Sequence, residues 1–174
     1  VCSSDLSAEP PSLMLLDANL HRSKTFDLLA ANGKQRARIS SIHDAPVRKS
    51  FFVTLEGAPE IWEISYDPEA GPIYEGLVHD YRMGEAIPKP GFLGVKRSIL
   101  EVPLQDFYVF RDGRHALGLT RPKVGESAQL HVINLDIRRR IAVLALPGDP
   151  GLGAAYSFVR NGIAMLVIPP MLWA

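Results

Sequence analysis

From Ser12 onward the apolar residues fall in short runs broken by turn formers, and no run carries the spacing of an amphipathic helix. The runs recur in pairs. Residues 13–17 are followed after a turn by 24–29, residues 61–67 by 72–74, and residues 130–136 by 140–146. In each pair the first run ends in an aspartate, at Asp17, Asp67 and Asp136. That pattern predicts an antiparallel hairpin whose Asp carboxylate accepts hydrogen bonds from the turn amides. A second kind of hairpin precedes two of these: 37–42 turning through 45–48 into 50–55, and 107–110 turning through 111–113 into 115–119. A third such opening, 155–159 with the turn Arg160-Asn161-Gly162 and the return run 163–167, begins another unit.

Four-stranded antiparallel units repeating in this way predict an all-β chain and a partial β-propeller. Two full blades are expected, at about 37–78 and 104–146, with the outer half of one blade before them and the inner half of another after them. A ring needs about four blades as a minimum, so residues 7–174 are expected to be a fragment of a larger propeller domain. Isolated, such a fragment is expected to aggregate or unfold in part, because its terminal hairpins present unpaired edges. The two aspartates Asp67 and Asp136 stand 69 residues apart, more than a propeller repeat of about 40–50. The excess matches an inter-strand insertion at about 76–103.

The head of that insertion obeys neither period. Tyr74-Glu75-Gly76-Leu77-Val78-His79-Asp80-Tyr81-Arg82-Met83-Gly84-Glu85 gathers an imidazole, two phenols, a guanidinium and three carboxylates. Alternation fails at Leu77-Val78, the helical stripe fails at Gly76 and Gly84, and the stretch runs into Ile87-Pro88-Lys89-Pro90-Gly91. It reads as a long ordered loop, too apolar for disorder, and loops of that length in compact domains are commonly functional. The candidate site is centred on His79, with Tyr81 and Arg82 beside it; the alternative is a surface loop whose His is merely solvated or caps a turn.

Composition narrows the classes. The 174 residues are 47% hydrophobic and 22% charged, with 19 basic and 19 acidic side chains. Zero net charge and no basic run longer than Arg138-Arg139-Arg140 point away from nucleic acid, and no apolar segment is long enough to span a bilayer. The single cysteine, Cys2, lies in Val1-Cys2-Ser3-Ser4-Asp5-Leu6, a hexapeptide that translation of a common sequencing adapter yields. Residues 1–6 are read as that scar. Without it the chain offers no disulfide, no thiolate metal site and no Cys nucleophile. His-Glu-x-x-His spacing, a Gly-x-Ser-x-Gly elbow and a phosphate-binding glycine loop are all missing from the sequence.

Other polar residues have simpler readings. Arg82 and Arg97 flank the insertion and suit a buried anion, although each alone reads as a solvated charge. His43 reads as a turn residue before Pro46, His21 as a hairpin-turn residue, and His115 and His131 as strand residues. Trp62 alternates with Ile61 and Ile64 and reads as core.

The runs Pro59-Glu60-Ile61-Trp62-Glu63-Ile64-Ser65-Tyr66-Asp67-Pro68, Val78-His79-Asp80-Tyr81-Arg82-Met83-Gly84-Glu85, Lys89-Pro90-Gly91-Phe92-Leu93 and 134–142 resemble the haem d1-binding propeller family, which includes cytochrome cd1 nitrite reductase. The resemblance extends over residues 10–170, and the insertion is most similar to that of the family's dihydro-haem d1 dehydrogenases. It implies an eight-bladed propeller that holds the macrocycle in its channel, an upstream cytochrome c domain carrying haem c, and a periplasmic location. It further implies a metal-binding oxidoreductase of haem d1 biosynthesis and denitrification that oxidises a propionate of dihydro-haem d1 to an acrylate. His79 would be the catalytic base or a distal iron ligand, and Tyr81 and Arg82 would bind the tetrapyrrole. Its partners would be the haem d1 precursor, a periplasmic electron acceptor and nitrite reductase as haem recipient. Nitrite reductase has two distal histidines, which align near Gln105-Asp106 and Phe158-Val159-Arg160; neither position here is histidine. That departure favours the dehydrogenase over the reductase, and the proximal iron ligand falls outside this chain. A non-catalytic haem d1 carrier or chaperone and a generic propeller interaction module are the alternatives.

Overall fold

The computed structural model describes residues 2–5, 11–74, 88–120, 127–146, 152, 155–161 and 163–167. The strands are β1 (Cys2–Asp5), β2 (Ser12–Leu16), β3 (Arg22–Asp27), β4 (Ile39–Ala45), β5 (Ser50–Leu55), β6 (Glu60–Ser65), β7 (Val95–Ile99), β8 (Asp106–Val109), β9 (His115–Leu119), β10 (Ala128–Asn134), β11 (Arg139–Leu146), β12 (Tyr156–Arg160) and β13 (Ile163–Val167). Two four-stranded meanders, β4-β5-β6-β7 and β8-β9-β10-β11, lie between a three-stranded sheet β1-β2-β3 and the hairpin β12-β13. Every named pairing is antiparallel. The two full blades that the sequence pattern predicts are present, but the first extends to β7, within the residues expected to form the insertion.

β5 explains why the sheets stack. Its run Ser50-Phe51-Phe52-Val53-Thr54-Leu55 does not alternate, and all six residues are buried. A strand reads as a continuous apolar run when both of its faces are covered. Phe51, Val53 and Leu55 pack with Trp62 and Ile64 against Leu13, Phe26 and Leu28 of the preceding sheet. Phe52 and Ile61 pack on the other face against Phe107, Val109, Ala116 and Ile133 of the next blade. A third cluster, around Leu117, Leu119, Leu130 and Leu152, lies on the far side of the second blade.

The first strands of the blades mark the hub. Between the two meanders, β4 and β8 make the close strand approach. Ser40 Oγ donates to the Gln105 carbonyl, 65 residues on. From β8, the Tyr108 hydroxyl donates to Ser157 Oγ of β12 at 2.9 Å, 49 residues on. β4, β8 and β12 therefore stand side by side, and the sheets diverge outward from them. A step of 49 fits a propeller repeat of about 40–50; the step of 65 places all of the excess in the first blade.

Two local expectations are corrected. The partner of β6 is not residues 72–74 but β7, with Trp62 opposite Arg97 and Glu60 opposite Ile99; Ile73 makes only an isolated bridge to Lys89. The insertion thus opens inside the first blade, between its third and fourth strands, and not between blades. Val95-Lys96-Arg97-Ser98-Ile99 hid its strand character because an outermost, half-exposed strand needs few apolar residues. The second correction concerns the aspartates. Asp17 Oδ1 accepts from the Asn19 and His21 amides as expected, and Asp67 Oδ1 from the Glu69 amide. At the third hairpin that task falls to Asn134, whose Oδ1 accepts from the Asp136 and Ile137 amides, which frees the Asp136 carboxylate for two arginines.

Candidate functional site

The insertion leaves β6 and returns to β7 through a closed root formed by residues 66–74 and 88–94. The Tyr66 amide donates to the Lys49 carbonyl and the Leu93 amide to the Ser65 carbonyl. Ile73 and Lys89 exchange both backbone hydrogen bonds at 2.8 Å, closing the root like the base of a hairpin. Gly91 lies so near the other limb that a Cβ there would meet the Gly71 carbonyl oxygen at 2.0 Å and that of Ala70 at 2.5 Å. Leu93 holds a left-handed φ of 52° as the chain turns into β7, and Lys24 of β3 donates to its carbonyl at 2.7 Å. His79, Tyr81 and Arg82 fall in residues 75–87, outside the described residues.

Under the root lies an open cavity of about 360 Å³ whose walls include Arg48, Glu63, Asp67 and Lys96. Most of its charges are already matched. Arg48, in a 3-10 turn after β4, donates to Glu63 at 2.8 Å, to Asp136 at 3.0 Å and to the Gly113 carbonyl at 2.9 Å, so one guanidinium ties the two blades together. Lys96 sits 3.5 Å from Glu63, and Arg114 donates to Asp136 at 3.1 Å. The hydrogen bond from Arg48, with Arg114 beside it, holds the Asp136 carboxyl below the usual range; Lys49 does the same for Asp67. With Glu63 and Asp67 already facing cations, this cavity is an electrostatic clamp.

Arg97 is likewise committed. It donates to both oxygens of Glu60, at 3.2 and 3.1 Å, and lies over the Trp62 ring at 4.6 Å. The Glu60 side chain is only 2% exposed and also accepts from the Ala31 amide. The expectation of a solvated or ligand-binding Arg97 is corrected: it neutralises a buried carboxylate inside the blade. Trp62 is core, as expected, at 1% exposure.

The histidines separate. His21 is exposed in its turn near Asp17. His115 pairs with Asp112 at 2.7 Å, and those hydrogen bonds outweigh partial burial to lower the Asp112 carboxyl. His131 is 3% exposed on β10, and burial, reinforced by Arg140, lowers its pKa. His43 is not in a turn. It lies on β4, half-buried, with its ring 5.2 Å from that of Tyr108 on β8 and tilted by 60°. Burial lowers its pKa against the opposing charges of Asp44 and Asp106.

Near the insertion's end of the blades, rings gather on and just after the first strands, Tyr108 and Phe110 packing against the third cluster. Tyr108 packs edge-on to Phe110 at 5.9 Å, and Arg111 lies 5.5 Å from the Tyr156 ring. The root joins these strands where the Tyr66 hydroxyl donates to Asp44, the neighbour of His43. Flat rings beside a guanidinium suit a flat conjugated ligand that bears carboxylates. Among the described residues no cluster of three or more His, Cys, Asp or Glu is placed to hold a metal ion. An iron already held by a macrocycle needs only single axial donors. Sequence reasoning missed His43 and Tyr108 as neighbours because 65 residues separate them; the repeat offset of the first strands was the signal available.

What the fold defines is a run of β-propeller blades with a rooted loop opening inside one of them. No protein-family model matches the chain. Dihydro-heme d1 dehydrogenase of Pseudomonas aeruginosa is 32% identical over 161 residues, which cover 92% of this chain and 27% of that protein. The solved structure of dihydro-heme d1 dehydrogenase NirN in complex with DHE matches with a TM-score of 0.68 at 30% identity, over 92% of this chain and 29% of that one. The chain spans under a third of either relative. Over that span the chain is similar to the dihydro-heme d1 dehydrogenases.

Proposed function

We propose that the chain is part of a periplasmic haem d1-binding oxidoreductase that dehydrogenates a propionate side chain of dihydro-haem d1 to an acrylate. The supporting observation is the likeness, over 92% of the chain, to a dihydro-heme d1 dehydrogenase whose solved structure is a complex with DHE. The reaction removes two electrons and two protons. A haem c, if an upstream domain carries one, would supply the route by which those electrons reach a periplasmic acceptor, and nitrite reductase would be the recipient of the finished haem.

What this chain supplies is placement and proton handling. A neutral imidazole is the suitable base near pH 7, and His79 takes that role or the role of distal iron ligand. Arg82 neutralises a substrate carboxylate and Tyr81 orients it. The insertion is rooted two strands out from the hub, about 10 Å at the usual strand spacing. A thirteen-residue excursion can reach about 20 Å out and back, so residues 75–87 are long enough to bring His79 to the hub.

The test is anaerobic mixing of dihydro-haem d1 with the full-length protein and with its His79→Ala variant, followed by the macrocycle's visible spectrum. The parent should convert the substrate, and the variant should bind it but react about 10² to 10⁴ times more slowly, the usual worth of a general base. Equal rates would remove His79 from the chemistry. Binding without oxidation by the parent, together with no Cys-x-x-Cys-His upstream, would instead establish a carrier.

A further inference from the structure

The hub wall holds one imidazole whose ring nitrogens have no hydrogen-bond partner among the described residues. It belongs to His43. Its neighbours hold it by ring packing alone: Tyr108 lies 5.2 Å away, centroid to centroid. Tyr108 is itself fixed at both ends. Its hydroxyl donates to Ser157 Oγ at 2.9 Å and accepts from the Ser157 amide at 3.1 Å, while its ring meets Phe110 edge-on. The three strands that build the hub, β4, β8 and β12, are thus tied together through Tyr108, and His43 is the side chain that this tie presses into place.

The imidazole nitrogens of His43 are not among the buried polar atoms left unpaired, so they keep contact with solvent and are open to a polar group that approaches from it. Asp44, the adjacent carboxylate, is instead engaged by Tyr66 at the root of the insertion. His43 is left with polar capacity on the first strand of its blade, beside Tyr108 of the next.

We infer that His43 is a further binding residue of this site, meeting the edge of a bound tetrapyrrole through a ring nitrogen, and that Tyr108 is its positioning residue. The inference rests on the proposed function in that the ligand is taken to be a tetrapyrrole. Its chemistry follows from the exposed groups of the neighbouring first strands: the Tyr156 ring, 57% exposed, for a conjugated plane, Arg111 beside it for a carboxylate, and His43 for a polar group at the plane's edge.

The experiment is equilibrium binding of dihydro-haem d1 to the full-length protein under anaerobic conditions, read as a dissociation constant and as the position of the visible bands. His43→Phe keeps the ring packing and removes both nitrogens; it should weaken binding roughly 5- to 10-fold, the worth of one hydrogen bond, and shift the bands. His43→Gln keeps a polar group and should recover part of the affinity. If His43→Phe fails to fold, His43→Gln measured against His43→Leu gives the same contrast. Tyr108→Phe, which loses the Ser157 bonds, should weaken binding less and leave the bands in place. Parental affinity and parental bands in His43→Phe would overturn the inference while leaving the proposed function intact. A parent that does not bind dihydro-haem d1 at all would overturn the proposed function, and this inference with it.

Discussion

The two complete blades differ in one connection. In the second, β10 and β11 are joined by the four-residue turn 135–138; in the first, the corresponding strands β6 and β7 are joined by residues 66–94. The remaining plan is shared, from strand order to the first strand at the hub. Lengthening that connection from 4 to 29 residues raises the closure entropy by only about 2 kcal/mol. The root's backbone pairs and the β6–β7 ladder are enough to offset it. The difference teaches where a blade tolerates addition: at the edge away from the hub, beyond strands whose two faces are already buried. Function can then be carried by a loop, while the sheets that aim it remain ordinary.

Breaking what both blades share should have the largest effect. Phe52 is 2% exposed and packs on Phe107 of the next blade, with ring centroids 5.6 Å apart. Phe52→Ala should therefore cost about 3–5 kcal/mol and lower the denaturant midpoint of both blades together. Loss confined to one blade would mean that they do not share a core.

A change at the root should instead separate them. Gly91→Ala forces a methyl against the Gly71 and Ala70 carbonyl oxygens and should cost about 2–3 kcal/mol, the upper part of the ordinary range. Hydrogen exchange should accelerate at the β7 amides and stay unchanged in β9 and β10. Uniform acceleration would show that the root is part of the global core.

The smallest effect is a pH dependence common to both. Burial lowers the pKa of His43 in the first blade and of His131 in the second. The unfolded chain, with histidines near 6.5, therefore binds more protons than the folded one, and stability should fall as pH drops below about 6.5. Asp67, Asp112 and Asp136, all lowered, should contribute stability above about pH 3.8 that is lost only at more acid pH. Denaturant midpoints at pH 7.5 and 5 check the histidine part; a midpoint that rises on acidification contradicts it.

Much of the fold could be read from the residues because period-2 runs and turn formers are local signals. The second blade's strands lie where its apolar alternation put them. The first blade misled at its outer edge, where Lys96 and Arg97 dilute the strand pattern and Pro72-Ile73-Tyr74 imitates one. Pairings that depend on distant neighbours left no local mark: Arg97 on Glu60 and Trp62, Arg48 across to Asp136, His43 against Tyr108. Asp136 looked like Asp17 because the same residue types follow a strand, yet Asn134 had already satisfied its turn. For the site, the sequence located the insertion and its titratable head, while the wall that the insertion is rooted beside required the fold.

The most direct measurement removes the head of the insertion from the first blade and leaves its root. Residues 75–87 would be replaced by a two-residue Asn-Gly turn between Tyr74 and Pro88, which the Ile73–Lys89 backbone pair already brackets. The shortened full-length protein would then be mixed anaerobically with dihydro-haem d1. A folded protein with an unchanged β-sheet spectrum and no conversion to the acrylate form is the expected result. Oxidation at the parental rate by the shortened protein would show that the insertion does not carry the chemistry.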